Sequence, residues 1–383
     1  VWFAVHFFFY WSVVRFYAVS GPVVKKLIFL SAVLLSVSFA AAAFLARAHA
    51  GPAAGAFYAF AAFWAGFALY LFMAASACWL LYLTGRVAGR QIPMRAVCSL
   101  SFALTFVVSA YGVWNAFSPV MKNIEVEIPG LPDGWRRKTI VQVSDIHLGA
   151  VHTRGWFSRA AAKINSISPD VIFITGDLFD GMSAGDLSMF TDALNELKAK
   201  DGIFFVTGNH ENYIGVDKVL AALAKTRIRT LRDEAVQVDG LQIAGLNYPG
   251  YGGQRDVKGL LSGNGFKKGM PSVLLFHTPT NIARNSVDFA ERQTNTYWAP
   301  DVDFTAAKEL GISLQLSGHT HKGQLFPFGL LSGFLYKGYD YGLHRQGGFF
   351  IYTTSGLGTF GPPMRVGGSP EIVIIRLKPA ESF

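Results

Sequence analysis

The feature that most constrains this chain is a pattern met five times: a short apolar run that stops abruptly on residues able to bind a cation. Thr139 to Val143 reads as a buried, β-branched strand and runs into Ser144-Asp145-Ile146-His147-Leu148-Gly149. The runs Val171 to Ile174, Ile203 to Val206, Val273 to Leu275 and Ile312 to Leu316 lead to Thr175-Gly176-Asp177, Gly208-Asn209-His210-Glu211, Phe276-His277 and Gly318-His319-Thr320-His321. A core strand has no packing reason to finish on an acid or an imidazole, and both are metal ligands. One such ending is an ordinary solvated turn; the repetition is not. In an α/β sheet, ligands collect at the carboxyl ends of strands. The endings therefore deliver Asp145, His147, Asp177, Asn209, His210, His277, His319 and His321 to one rim, and the constellation reads as a metal site.

The composition divides the chain. Of 383 residues, 51% are hydrophobic and only 15% charged, with 33 Phe, which is too apolar for an ordinary soluble domain. The excess lies before about residue 118, so the expected organisation is a transmembrane region over 1–118 and a soluble domain over 119–383. Apolar stretches near residues 1–19, 27–46, 55–84 and 96–118 predict about four helices. The last three easily meet the roughly 20 residues a span needs. His6, read as an interfacial residue, and Arg15, placed to snorkel, interrupt the first. A removed signal peptide fits poorly, because three more spans follow.

Lys25 and Lys26 lie between the first two stretches, Arg86, Arg90 and Arg95 between the last two, and Arg47 alone between the middle pair. The positive-inside rule puts the two richer loops in the cytoplasm. The soluble domain is then expected on the outer, periplasmic or extracellular face of a bacterial-type inner membrane. The later spans carry almost no charge, which favours an anchor over a conduction path. The net charge of +9 flanks the membrane segments, and no basic run with interleaved aromatics points to nucleic acid. The lipid bilayer, with its anionic headgroups, is the expected partner. Cys78 and Cys98 both fall in apolar segments, so no disulfide framework is available.

In the soluble part, Ile124 to Ile128 alternates at period two and predicts a strand. Helices are expected over 155–167, 186–199 (Leu187, Phe190, Leu194 and Leu197 on one face), 216–225 and 303–310. Ala235 to Tyr248 alternates around Asp239-Gly240 and predicts a hairpin. Strands are expected at Phe349 to Thr354 and Ile372 to Leu377, with an inserted loop over 283–303 that could act as a lid. Strand–helix alternation giving way to strands implies two packed sheets with helices outside.

Asp145-x-His147, Gly176-Asp177, Gly208-Asn209-His210-Glu211, His277 and Gly318-His319-x-His321 resemble, in identity, order and spacing, the calcineurin-like metallophosphoesterase superfamily. The likeness spans residues 139 to 378. Gly356 to Arg365, followed by Pro370-Glu371-Ile372, is similar to its membrane-associated, lipid-directed members: transmembrane metallophosphoesterases and relatives of the UDP-diacylglucosamine pyrophosphatases. The resemblance implies a four-layer α-β-β-α sandwich with two divalent metal ions, manganese first and iron or zinc as alternatives. Asp145, His147, Asp177 and His321 would hold one metal. Asp177, Asn209, His277 and His319 would hold the other, with Asp177 bridging. A metal-generated hydroxide, available because bound water has a pKa of roughly 7, would attack phosphorus, and His210 would serve the leaving oxygen.

Glu211 is either a supporting partner of the ligands or a loop salt bridge, and His152 reads as a solvated loop residue. His344, Arg345 and Arg365 are candidate phosphate contacts. Lys322 stands where Gly usually follows the last ligand. The segment Leu325 to Tyr341, with Phe326, Phe328, Leu330, Leu331, Phe334 and Leu335 around a single Lys337, reads as a loop too apolar for water. It could dock on the membrane part, dip into lipid, or pack under a neighbouring loop. The expected function is a membrane-anchored phosphohydrolase acting on a phosphoester or pyrophosphate, with a lipid-linked substrate. The rivals are a non-catalytic membrane sensor or scaffold with a phosphoesterase-like domain, and a transporter with a regulatory one. Oligomeric state is not legible.

Overall fold

The computed structural model describes residues 1–48, 51–183, 185–249, 255–284 and 300–380. They form two compact units, Val1–Ala116 with Gly361–Val366, and Phe117–Phe360 with Gly367–Phe383.

The first unit consists of α1 (Trp2–Phe16), α2 (Pro22–Ala48), α3 (Pro52–Val87) and α4 (Met94–Ala116). Long runs of Ala, Leu and Phe favour helix throughout, and Pro52 opens α3 where its missing N–H costs nothing. Among the described residues, only α2, α3 and α4 are long and apolar enough to cross a membrane. The 15 residues of α1 rise about 22 Å, short of the roughly 30 Å hydrocarbon core. The four expected spans thus become three plus a shorter helix. The helices bury small residues (Ala42, Ala61, Ala62, Ala68, Ala75) and turn large ones such as Leu34, Leu104 and Phe106 outward, as lipid-facing helices do. His6 is a correction. It is buried inside this unit, where Nδ1 donates to Trp2 O (2.9 Å) and Nε2 accepts from Trp64 Nε1 (2.8 Å).

The segment Gly361–Val366 belongs to this unit although it is remote in sequence. Arg365 N donates to Gly112 O (2.8 Å), and Asn115 Nδ2 donates to Arg365 O (3.0 Å). Gly66 and Gly112 present bare backbone to it: a Cβ there would lie 2.9 Å from Pro362 Cβ and 2.8 Å from Val366 Cγ2.

The second unit contains β1 (Val120–Ile128), β2 (Ile140–Val143), β3 (Val171–Thr175), β4 (Gly202–Val206), β5 (Ile228–Thr230), β6 (Glu234–Val238), β7 (Leu241–Gly245), β8 (Ser272–Leu275), β9 (Leu314–Ser317), β10 (Gly342–Gln346), β11 (Phe349–Thr353) and β12 (Glu371–Pro379). They build two six-stranded sheets, β1-β12-β2-β3-β4-β5 and β10-β11-β9-β8-β7-β6. β2 to β5 run parallel in the first, and β7, β8, β9 and β11 in the second. Parallel strands covered on both faces are expected to be apolar throughout, and β3 (Val-Ile-Phe-Ile-Thr) is buried at every residue.

Three apolar clusters define the layers. Ile140, Phe173, Val206, Leu275, Leu316 and Val373 fill the space between the sheets. Val141, Ile174 and Phe205 pack outward on the helix Arg154–Asn165 through Trp156 and Phe157. Ala244, Leu274 and Ile351 pack on Leu261, Phe304 and Leu310. The order is helix, sheet, sheet, helix. Thr153 caps the helix Arg154–Asn165, the hairpin turns at Asp239-Gly240, and Thr305–Leu310 forms where a short helix was expected.

Several expectations change. The 186–199 stretch buries the expected apolar face but breaks into a 3-10 turn, Leu187–Phe190, and one helical turn, Thr191–Leu194. The segment read as an apolar loop contains the helix Phe328–Leu335. Of the inserted loop at 283–303, residues 285–299 lie outside the described residues.

Candidate metal centre

Each predicted ligand follows the strand expected to carry it: Asp145 and His147 after β2, Asp177 after β3, Asn209 and His210 after β4, His277 after β8, His319 and His321 after β9. The turns are sharp. Asp145, His147, Asp177, His319 and His321 all have φ between 50° and 74°, the left-handed region that a side chain other than Gly seldom adopts. Lys322, next after His321, shares it (φ 52°). Gly318 is required by closeness: a Cβ would lie 2.1 Å from Ser144 Oγ and 2.2 Å from Asp145 Oδ2.

Among the described residues donor atoms converge in two adjoining groups, Asp145 with His147 and His321, and Asp177 with His277 and His319, linked by a third, His147 with Asp177 and His210. Asn209 Oδ1 lies 3.2 Å from His277 Nε2 and 2.9 Å from His319 Nδ1, and those two nitrogens are 3.3 Å apart. His147 Nε2 and His321 Nε2 are 3.0 Å apart. Asp177 Oδ2 sits between the groups, 3.3 Å from His277 Nε2 and 3.9 Å from His147 Nε2. Lone-pair atoms this close repel unless a proton or a cation bridges them. Buried carboxylate, amide and imidazole donors around a shared carboxylate suit two divalent cations, so the residues present fit such a pair.

Charge follows from burial and neighbours. Burial, reinforced by nearby His210 and His321, holds His147 well below the ordinary imidazole range. Burial and His277 push His319 down to about 4. Burial also pulls His277 down, but Asp177 and Asp145 outweigh it and hold it up at about 9. Burial works against an ionised Asp177, yet His277 and His210 keep its carboxyl well below its usual range. Burial raises Asp145. His277 Nδ1 donates to Thr175 O (2.8 Å), which leaves Nε2 to face the cluster.

His210 is fixed differently. Gly181 N donates to its Nδ1 (2.8 Å), so the neutral ring carries its proton on Nε2. Its backbone N donates to Asp177 Oδ1 (2.9 Å). The ring packs edge-on against His147 (4.5 Å between centroids) and against Phe360 (5.0 Å). Phe360 also reaches His147 (6.0 Å). Its place in a Gly/Pro-rich loop gave no hint of that role.

Glu211 resolves as a positioning residue. Its Oε1 accepts from Leu178 N (3.0 Å) and Phe179 N (3.3 Å), and its Oε2 from Asp177 N (2.9 Å) and Gly208 N (2.6 Å). It ties the turn carrying Asp177 to the turn carrying Asn209 and His210. The Gly208-x-x-Glu211 spacing at the start of the helix Asn209–Ile214 is the signal that could have found it.

His152 is buried, not solvated; its Nε2 accepts from Thr359 N (2.8 Å), and its ring packs on Trp156. His344 and Arg345 sit on β10, an outer strand of the second sheet. His344 Nε2 donates to Tyr341 O (3.0 Å) and Arg345 Nε to Gly347 O (2.9 Å). Arg365 is fully buried in the Gly361–Val366 segment of the helical unit.

A family profile described as calcineurin-like phosphoesterase matches residues 138–323. The chain is 34% identical over 304 residues to "Transmembrane protein with metallophosphoesterase domain" of Danio rerio, covering 73% of this chain and 62% of that protein. It is 32% identical over 294 residues to an uncharacterized metallophosphoesterase of Campylobacter jejuni (74% and 71% covered). An uncharacterized metallophosphoesterase of Aquifex aeolicus is 31% identical over 282 residues (72% and 98%). Among solved structures, Haemophilus influenzae NAD nucleotidase aligns with TM-score 0.32 and 16% identity, over 57% of this chain and 45% of that one.

Proposed function

This chain belongs to the calcineurin-like phosphoesterase family, and from that premise we propose that it is a membrane-anchored phosphohydrolase that uses two divalent cations. Asp145, His147, Asp177 and His321 hold one cation. Asp177, Asn209, His277 and His319 hold the other, with manganese, iron or zinc suited to the donors. The observation that carries the proposal is the pair of donor groups adjoining at Asp177, all buried but the half-buried His319, and each with nitrogens about 3 Å apart. Such a pair, when bound, supplies Lewis acidity at phosphorus and lowers the pKa of water towards 7.

The chain's own residues do the rest. Thr175 O holds the His277 ring with Nε2 inward. Glu211 fixes the turn bearing the shared Asp177. His210, with Nδ1 committed to Gly181 N–H, donates its Nε2 proton to the departing oxygen. Phe360 packs edge-on against that ring.

Three bilayer-length helices support a substrate met at the membrane, a phosphoester or pyrophosphate of a lipid-linked molecule. The Lys/Arg bias of the loops supports an outer-face placement of the catalytic domain, and it holds with three spans as with four, since Lys25, Lys26, Arg86, Arg90 and Arg95 flank α2, α3 and α4. Arg345, half-exposed on β10, and its neighbour His344 are proposed substrate contacts; an Arg345→Ala variant with unchanged KM removes Arg345 from that set. A sensor without turnover is the weaker reading, because every ligand type and His210 are present.

The test is hydrolysis of a membrane lipid extract by the purified chain with manganese, beside Asp177→Asn. Headgroup release by the wild type alone supports the proposal, and the product names the bond. Two bound metals with no turnover of lipid or of a soluble phosphodiester favours the sensor.

A further inference from the structure

The helix Phe328–Leu335, sequence FGLLSGFL, carries no charge, and Ser332 is its only buried residue. Leu330 is 71% and Phe334 80% exposed, and Phe326, Phe328 and Leu331 are exposed beside them. A surface helix normally turns its apolar side inward; this one turns it out. Among the described residues no neighbouring loop covers it.

The helix is also tied to the metal centre. Gly323, two residues past His321, has φ +70°, and a Cβ there would lie 2.3 Å from Gly329 N in the first helical turn. Gln324 Nε2 donates to Phe360 O (3.0 Å) and its Oε1 accepts from Phe360 N (2.9 Å). Past the helix, Thr320 Oγ1 donates to Asp340 O (2.6 Å), and Lys322 Nζ lies 4.2 Å over the Tyr341 ring. The patch is held from both ends.

We propose that Phe328–Leu335 is an interfacial helix whose Leu330 and Phe334 face lies in the apolar margin of the same bilayer that α2, α3 and α4 span, setting the metal centre to work on phosphates at headgroup level. Three features on the chain select lipid as the occupant. Bilayer-length helices in the same chain tether this domain to a membrane. Tyr336 and the exposed Lys337 follow the apolar run directly, residue types that settle at headgroup depth. Eight residues rise only about 12 Å, so the helix lies on the bilayer and does not cross it. The inference rests on the membrane reading of the three helices and deepens the proposed substrate class, but it does not require turnover.

The test uses the full chain with Cys78→Ala and Cys98→Ala, reconstituted in vesicles of three parts phosphatidylcholine to one part phosphatidylglycerol. A nitroxide is placed at Phe334→Cys and, separately, Leu330→Cys. Collision with oxygen, which concentrates in lipid, is compared with collision with a water-soluble nickel chelate. Leu34→Cys on α2 (68% exposed) is the lipid control, and Met189→Cys (51% exposed) the control in the soluble unit. The expected result is an oxygen-to-nickel ratio at Phe334 and Leu330 several-fold above Met189 and close to Leu34. A ratio matching Met189 overturns the proposal. So does protection from both reagents with spin–spin broadening, which would put a second copy on the patch. Hydrolysis of a soluble phosphodiester by the same samples reads the proposed activity separately.

Discussion

Replacing Glu211 by glutamine alters one atom's chemistry and almost nothing of the shape. In the wild type two carboxylate oxygens accept four backbone N–H groups, from Asp177, Leu178, Phe179 and Gly208. Glutamine keeps one oxygen, so two buried N–H groups lose their acceptor and face an NH2. Each such group costs roughly 1–3 kcal/mol, on the order of 2–6 kcal/mol together. A domain of this size loses about 2–4 °C of midpoint per kcal/mol, so the transition should fall on the order of 5–20 °C. The assay is thermal unfolding of the full chain in nanodiscs with chelator present, so that bound metal adds nothing by mass action, together with metals per chain measured without chelator. Burial and the Asp177 charge push Glu211 up to about 7. Its folded value lies above the unfolded one near 4.5, so the wild type takes up a proton on folding between the two, and the gap between wild type and variant should widen as the pH falls from about 8.5 through 7. A midpoint within about 2 °C of wild type at the higher pH, with full metal content, would refute the positioning role assigned to Glu211.

Other expectations follow from the same geometry. Gly318→Ala should abolish metal loading at both sites, read by elemental analysis of the purified chain, because its Cβ would strike Ser144 Oγ and Asp145 Oδ2. His210→Gln should lower kcat on a soluble phosphodiester by about 10²–10⁴-fold with metal content unchanged, since His210 is assigned a proton and not a cation. His277, held at about 9, is protonated in the metal-free protein at neutral pH. Its charged form therefore stabilises the metal-free fold below its unfolded value near 6.5, and that contribution is lost as the pH rises through 9. A cation must displace this proton, so metal affinity should climb with pH up to about 9; calorimetry in two buffers of different ionisation heat should show proton release on binding, reduced in His277→Ala.

Much of the site was legible because it repeats a simple rule, apolar strand then ligand, and the parallel sheets leave those endings on one rim. Five strands ended where the residue types said they would. What sequence withheld depends on distance. Glu211 stayed open between a partner of the ligands and a loop salt bridge because its partners on the Asp177 turn are 32 to 34 residues away. His152 looked solvated because the residue that pairs with it, Thr359, is 207 positions on. Phe328–Leu335 was read as a loop because its apolar residues lack the inward stripe by which helices are recognised; its exposure hides the period. The shorter α1 was counted as a span because its composition is apolar, and only its 15-residue length separates it from the others.

The left-handed backbone at Asp145, His147, Asp177, His319 and His321 has a consequence for how such a protein can be improved. Each of these positions strains a side chain by about 1 kcal/mol or more, and glycine would relieve it. Selection for heat resistance alone, with no demand for turnover, should therefore drift toward Gly at the ligand positions and arrive at a hardier, inert protein. The histidines and aspartates stand there against the preference of the backbone, as a requirement for cation binding would explain.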